Sequence, residues 1–233
     1  SHQVFSTKSV CTGKSLLNGR ISGRTESTGL GVYYAIREVL NNKDAVKKYG
    51  IEKGIPGKTF IVQGFGNVGY YVSKYLVENG AKLIGVVEYN GSVYNPNGIS
   101  PDQLKEYQTQ NGKVVGFKDC TSYETDEAMY KECDIFIPAA LEKSINIVSA
   151  PKLKCKIIAE GANGPTTLKG EQILEEKNIM IIPDILANCG GVTISYMEFL
   201  TNLDCAEAGL LSERVLNLFE FREKKSKMNK YFK

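Results

Sequence analysis

Thr59-Phe60-Ile61-Val62-Gln63-Gly64-Phe65-Gly66-Asn67-Val68-Gly69 sets a short β-branched and aromatic run directly against a G-x-G-x-x-G loop. The run predicts a buried strand. The stretch that follows, Val68 to Asn79, places Val72, Tyr75 and Leu76 on one helical face before Gly80 stops it. In such a strand–turn–helix unit the three glycines serve different ends. Gly64 allows the tight turn, Gly66 lets the backbone approach a pyrophosphate closely, and Gly69 lets helix and strand pack. The phosphates would then lie on N–H groups at the positive end of the helix. The motif alone is a weak signal, so its context decides.

Four further runs, Leu83 to Val87, Asp134 to Pro138, Lys156 to Ala159 and Ile179 to Ile182, are nearly continuous in apolar residues. Strands covered on both faces of a parallel sheet have this pattern. Helix-like stretches lie between most of them, among them Asp102 to Gln110 behind Pro101, and Thr166 to Asn178. The alternation predicts an α/β fold: a doubly wound, Rossmann-type, mostly parallel sheet with helices on both faces. Ser27-Thr28-Gly29 reads as the cap of an earlier helix running to about Asn41, and Gly54 to Gly57 as a turn into the sheet. Gly91 to Gly98, dense in turn formers, reads as a surface loop; Val114 to Glu132 leaves open whether it adds a strand. A helix is expected over Val192 to Leu203, and a last amphipathic segment from Leu210 to about Phe221. The expected division is a dinucleotide-binding domain over 1–205 and a helical segment with a basic tail over 206–233.

Composition narrows the class. With 233 residues, 42% hydrophobic and 24% charged, the chain can bury a sizeable core, which argues against disorder or a disulfide scaffold. No apolar run reaches the length of a membrane span, and the polar start is no signal peptide, so a soluble protein without a membrane partner is expected. Six of the 29 basic residues but only one of the 26 acids lie from Arg222 onward, so the net charge of +3 belongs to the tail. Such a tail is ordinarily a solvated end, and no nucleic-acid partner is expected. Six cysteines without a C-x-x-C, beside a single histidine, argue against a metal site and for reduced thiols inside a cell; whether mitochondrial or cytoplasmic, the cysteines leave open.

The dinucleotide fingerprint also requires an acid at the end of the second strand. Glu88 stands there, nineteen residues after Gly69. Its carboxylate can accept both adenosine ribose hydroxyls and would repel a 2′-phosphate, which favours NAD; NADP remains an alternative if a basic residue arrives from elsewhere. Two more loops follow strands at the end where open α/β sheets bind ligands: Glu160 to Thr167, with Asn163, and Asp184 to Gly191, with Asn188. Asparagine offers one acceptor and two donors, which suits a carboxamide, although Asn and Gly are also ordinary turn residues.

Four separated strings resemble the cofactor domain of glutamate dehydrogenases: Gly23-Arg24-Thr25-Glu26-Ser27-Thr28-Gly29, Gln63 to Gly69, Ile158 to Thr167, and Asn188 to Tyr196. They occur in family order over about residues 10 to 203. Leucine, phenylalanine and valine dehydrogenases share the glycine motif, but the Glu-Gly-Ala-Asn-Gly-Pro-Thr-Thr run looks like the glutamate branch. The resemblance implies that Gly64, Phe65, Gly66, Asn67 and Val68 hold the pyrophosphate of NAD and Glu88 the adenosine ribose. It implies that Ala139 and Ala140 line the cofactor cleft, that Thr28 and Asn163 address the nicotinamide side, and that Asn188 lies near both ring and substrate. Arg24 and Ser195 match positions that face the side-chain carboxylate of L-glutamate or 2-oxoglutarate, for which guanidinium and hydroxyl are good donors. A homo-oligomer, a hexamer in this family, is implied as well.

The family's chemistry, oxidation of L-glutamate to 2-oxoglutarate and ammonium with hydride transfer to the nicotinamide, needs an activated lysine and a carboxylate from a separate substrate domain. No Gly-Gly-x-Lys-type segment occurs in this sequence. No catalytic residue is therefore expected on this chain, which alone would bind dinucleotide without turning over glutamate. Two other readings stand beside this one: a non-catalytic dinucleotide-binding module, and a dehydrogenase of an apolar amino acid. Cys189 replaces the family's usual Ala, and the match fades after Leu203.

Overall fold

Phe60, Ile61 and Val62 are fully buried, and their side chains alternate between two hydrophobic clusters, one on each face of a sheet. A computed structural model describes residues 10–15, 17 and 21–203. β1 (Thr59–Gln63) is flanked by β2 (Lys82–Glu88) on one side and β5 (Ile135–Pro138) on the other, both parallel to it. β6 (Ile157–Ala159) and β7 (Met180–Ile182) continue the parallel set beyond β5. β3 (Gly91–Tyr94) and β4 (Thr121–Tyr123) extend the opposite side antiparallel, giving the order β4-β3-β2-β1-β5-β6-β7. The chain goes one way from β1 to β2 and the other way to β5, so the crevice at the carboxyl end of β1 is the switch point where such sheets bind ligands.

α1 (Ser27–Asn41), α3 (Asn67–Glu78) and α4 (Pro101–Asn111) bring Ile36, Leu40, Val72, Leu76 and Leu104 to one face, with Phe60 and Val62. On the other face, Leu174 of α5 (Leu168–Glu176) and two 3₁₀ turns, Glu127–Tyr130 and Ala150–Lys152, cover Ile61, Phe136 and Ile158. The doubly wound expectation holds. Register between β1 and β2 slips after Phe60↔Leu83, to Ile61↔Gly85. That extra residue lets Leu83 and Val86, three apart, share a face.

Two sequence expectations need correction. Gly91 to Gly98 is not all loop: Gly91–Tyr94 is strand, paired Glu88↔Gly91 and Val86↔Val93. Its first two residues are small because neighbours press on them. A Cβ at Gly91 would run into Val115 Cγ2, and Ser92 Oγ donates to Thr125 O (2.7 Å) while accepting from Ala128 N–H (3.3 Å). Packing thus selected residues that read as turn formers. Second, α1 begins at Ser27 itself, with Glu26 at the cap position and no side-chain cap bond. What fixes this end is tertiary contact: a Cβ at Gly29 would stand 2.8 Å from Tyr71 Cβ, and one at Gly31 3.0 Å from Gly190 N.

The undecided stretch Val114 to Glu132 supplies β4 and a 3₁₀ turn. A short α2 (Lys43–Lys48) follows α1, capped by Asn42 Oδ1, which accepts from the N–H groups of Asp44 and Ala45 (3.0 and 3.1 Å). α6 (Asp184–Ala187) and α7 (Cys189–Asn202) follow β7. Thr25–Val192 form one compact unit; the described residues up to Arg24 and from Thr193 onward belong to a second. The segment Leu210 to Phe221 and the basic tail lie outside the described residues. Among the described residues no helix is long and apolar enough to cross a membrane, and Cys11, Cys120, Cys133 and Cys155 are free thiols.

Candidate functional site

Two of the three motif glycines are compelled by the chain's own packing. Gly64 has φ +86°, and a Cβ there would lie 2.7 Å from Ala140 Cβ and 2.9 Å from Ala139 O. A Cβ at Gly69 would collide with Gly64 O, so helix and loop could not approach as they do. Gly66 differs. Its φ is −76°, and a Cβ added to it meets nothing within 4 Å. No protein atom requires Gly66 to lack a side chain, yet it sits in the wall of a cleft of about 660 Å³.

Gly64, Glu88, Ala139 and Ala140 line the same cleft, together with Gln63 at the end of β1. The walls are tied by the ends of the strands: Gly64 N–H donates to Val87 O (2.7 Å) and Ala139 N–H to Gln63 O (2.7 Å). Phe65 is buried beneath the loop, edge-on to Tyr70. Asn67 opens α3 in an exposed position, and Val68 packs toward Gly161, whose Cβ would stand 3.1 Å from Val68 Cγ1. The first N–H groups of α3 have no acceptor within the helix, and their partial positive charge would favour an anion near Gly66.

Glu88 Oε1 accepts from Phe65 N–H (2.5 Å) and from Gln108 Nε2 (3.1 Å). Both bonds fall on one oxygen, so the second keeps its lone pairs for a ligand. Lys105, one turn before Gln108 on α4, donates from Nζ to Phe65 O (2.8 Å) and to Gln108 Oε1 (2.9 Å). Burial pulls its ammonium below the usual lysine range, against the attraction of Glu88. Lys105 and Gln108 belong to no motif. Only their spacing on a helix that follows the acid-bearing strand could have marked them.

Behind the cleft the two asparagine loops are locked together. Pro138 O accepts from Gly161 and Ala162 N–H (3.0 and 2.8 Å). The buried Glu160 accepts from Asp184 N–H (2.9 Å), and Asp184 in turn accepts from Gly164 N–H (2.8 Å). Asn188 Nδ2 donates to Asn163 Oδ1 (2.7 Å) and Ala162 O (3.3 Å), so these two candidates are direct neighbours. Burial pushes the Glu160 carboxyl above the ordinary carboxylate range, with the hydrogen bonds it accepts opposing. Thr28 lies in the first turn of α1, and among the described residues no hydrogen bond joins it to Asn163 or Asn188. Arg24 and Ser195 belong to the second unit, where Arg24 Nε donates to Ser195 Oγ (2.8 Å).

Residues 19–226 match the sequence profile of the glutamate/leucine/phenylalanine/valine dehydrogenases. The chain is 46% identical over 220 residues to the mitochondrial glutamate dehydrogenase of Dictyostelium discoideum, covering 92% of this chain and 44% of that protein. It is 42% identical over 226 residues to the NADP-specific glutamate dehydrogenase of Saccharolobus shibatae, covering 93% of this chain and 52% of that one. Among solved structures, glutamate dehydrogenase 2 of Plasmodium falciparum superposes with a TM-score of 0.70 at 33% identity, over 82% of this chain and 42% of that chain. The chain thus spans about half the length of the relatives that it matches.

Proposed function

The chain belongs to the glutamate/leucine/phenylalanine/valine dehydrogenase family, and from that premise we propose that it is the nicotinamide-dinucleotide-binding part of a glutamate dehydrogenase. The observation that carries the reading is Gly66. Gly64 and Gly69 are explained by neighbouring protein atoms, whereas the open space at Gly66 has its explanation in a ligand whose backbone contact a Cβ would obstruct.

Gly64 to Val68 would hold the pyrophosphate, with the loop's backbone and the positive end of α3 as the donors. Glu88 would take the adenosine ribose on its remaining oxygen, and the small side chains of Ala139 and Ala140 keep the cleft open. Thr28, Asn163 and Asn188 would orient the nicotinamide end. Arg24 and Ser195 would receive the carboxylate of glutamate or 2-oxoglutarate. When bound, the cofactor accepts or donates the hydride. This chain's share of the work is to bind and orient that cofactor. The acid–base groups and a full substrate site are assigned to the half of the relatives that this chain does not span, and assembly into a homo-oligomer, a hexamer, belongs to the same proposal.

We assign NAD as the preferred cofactor because Glu88 places negative charge where a 2′-phosphate would fall. Lys105, in contact with the same loop, offsets part of that charge and keeps NADP within reach. The test is titration of the chain with NADH and NADPH, followed by nicotinamide fluorescence. Enhancement with NADH at micromolar to low millimolar concentration, lost in Gly66→Val, is the expected result. Absence of any response at millimolar cofactor overturns the assignment.

A further inference from the structure

Tyr89 is the residue immediately after the ribose acid, and it is 92% exposed. Exposure of one aromatic residue means little by itself. Its setting is more specific. Glu88 pairs with Gly91, so Tyr89 and Asn90 are the two residues of the reversal between β2 and β3. Asn90 Nδ2 donates to Gly112 O (3.2 Å), which ties the turn to the end of α4. On the other flank, the place of Gly91 against Val115 and Tyr123 admits no Cβ. The turn is therefore held on both sides, while among the described residues the Tyr89 ring has no ring partner and its hydroxyl no hydrogen bond. An aromatic face stands on a fixed pedestal at the mouth of the cleft that Gly64, Gly66 and Glu88 line.

The cleft beyond Glu88 has the divided chemistry of a base. Val87 and Tyr89 supply carbon, and Thr125 and Asp126 supply a polar rim. Resting on the dinucleotide reading, which seats the adenine at this outer end, we propose that the Tyr89 ring closes over the base by stacking. The covalent order of the ligand supports the placement: the base hangs on the ribose that Glu88 receives, so the next residue along the chain is positioned to meet it. Stacking is tolerant of base identity, since every base has a π-face. Tyr89 thus adds affinity for the adenosine half without adding selection against NADP.

The test uses ADP-ribose, which carries the adenosine half and no nicotinamide, titrated into the full chain by calorimetry, with NADH titrated in parallel. Tyr89→Ala is expected to weaken both by about 5- to 150-fold, the range for loss of one base–aromatic stack. Tyr89→Phe and Tyr89→Trp are expected to bind within about two-fold of the wild type or tighter. Equal affinity in Tyr89→Ala and wild type overturns the Tyr89 assignment and leaves the dinucleotide reading intact. Weakening by Tyr89→Phe as strongly as by Tyr89→Ala also overturns it, because the hydroxyl and not the ring would be the contact. If the wild type binds neither ligand, the dinucleotide reading fails and the subsite with it.

Discussion

The carboxylate of Glu88 accepts a hydrogen bond from the backbone N–H of Phe65, so the acid at the end of β2 also pins the glycine loop after β1. One donor of that loop is thereby committed to the protein and would not be open to a phosphate. Glu88→Gln keeps an acceptor for Phe65 N–H but removes the negative charge. Two unit charges 4 Å apart interact by about 4 kcal/mol at an effective dielectric of 20, and less where water enters. The ratio of NADPH to NADH affinity is therefore expected to rise at least ten-fold in Glu88→Gln, measured by fluorescence titration of both cofactors. An unchanged ratio would show that Glu88 does not face the 2′ position.

Lys105 makes the complementary prediction. Its ammonium is held by Phe65 O and Gln108 Oε1 beside the same loop. Lys105→Met preserves much of the packing and removes the charge. NADPH binding should then fall several-fold more than NADH binding, and the difference should shrink as salt rises, because a partly exposed charge is screened. Equal losses for the two cofactors would assign Lys105 to the loop's shape alone.

What the sequence makes legible is set by whether the signal is local. The five parallel strands, the motif helix and the acid at the end of β2 were legible, since continuous apolar runs and a fixed glycine spacing are local features. β3 was not. Gly91 and Ser92 are small because Val115, Tyr123 and a 3₁₀ turn press on them from distant sequence, and small residues imitate a loop. The site divided in the same way: Gly64, Gly66, Glu88, Ala139 and Ala140 meet in one cleft, and Asn163 meets Asn188. Lys105, Gln108, Asp184 and the buried carboxylate of Glu160 contribute through tertiary hydrogen bonds that carry no sequence signature.

The motif glycines should separate stability from binding. Gly69→Ala drives a methyl group into Gly64 O and is expected to cost about 3 kcal/mol in urea unfolding, as overpacking does at its upper range. Gly66→Ala meets open space at an ordinary φ, so its unfolding free energy should match the wild type within about 0.5 kcal/mol. Cofactor affinity should nevertheless fall at least ten-fold in Gly66→Ala. Loss of stability without loss of binding at Gly66 would reverse the roles assigned to the two residues.

Glu160 gives a pH signature. It accepts from Asp184 N–H, and its raised pKa comes from burial first, with the nearby charges of Asp184 and Glu171 acting in the same direction. A carboxyl whose folded pKa is raised holds its proton more tightly folded than unfolded. Its relative contribution is thus most favourable at low pH and is lost as pH rises from the ordinary carboxylate value through the folded one. Glu160→Gln keeps an acceptor for Asp184 N–H and cannot ionise, so it should be at least as stable as the wild type at neutral pH. That advantage should vanish toward pH 4. Glu160→Ala, which leaves the Asp184 N–H without its acceptor, should lose about 2 kcal/mol at both pH values. Urea unfolding of the three proteins at pH 4 and 7 distinguishes these outcomes; a Glu160→Gln variant less stable at pH 7 than at pH 4, relative to wild type, would mean that the ionised carboxylate is itself what holds the two asparagine loops together.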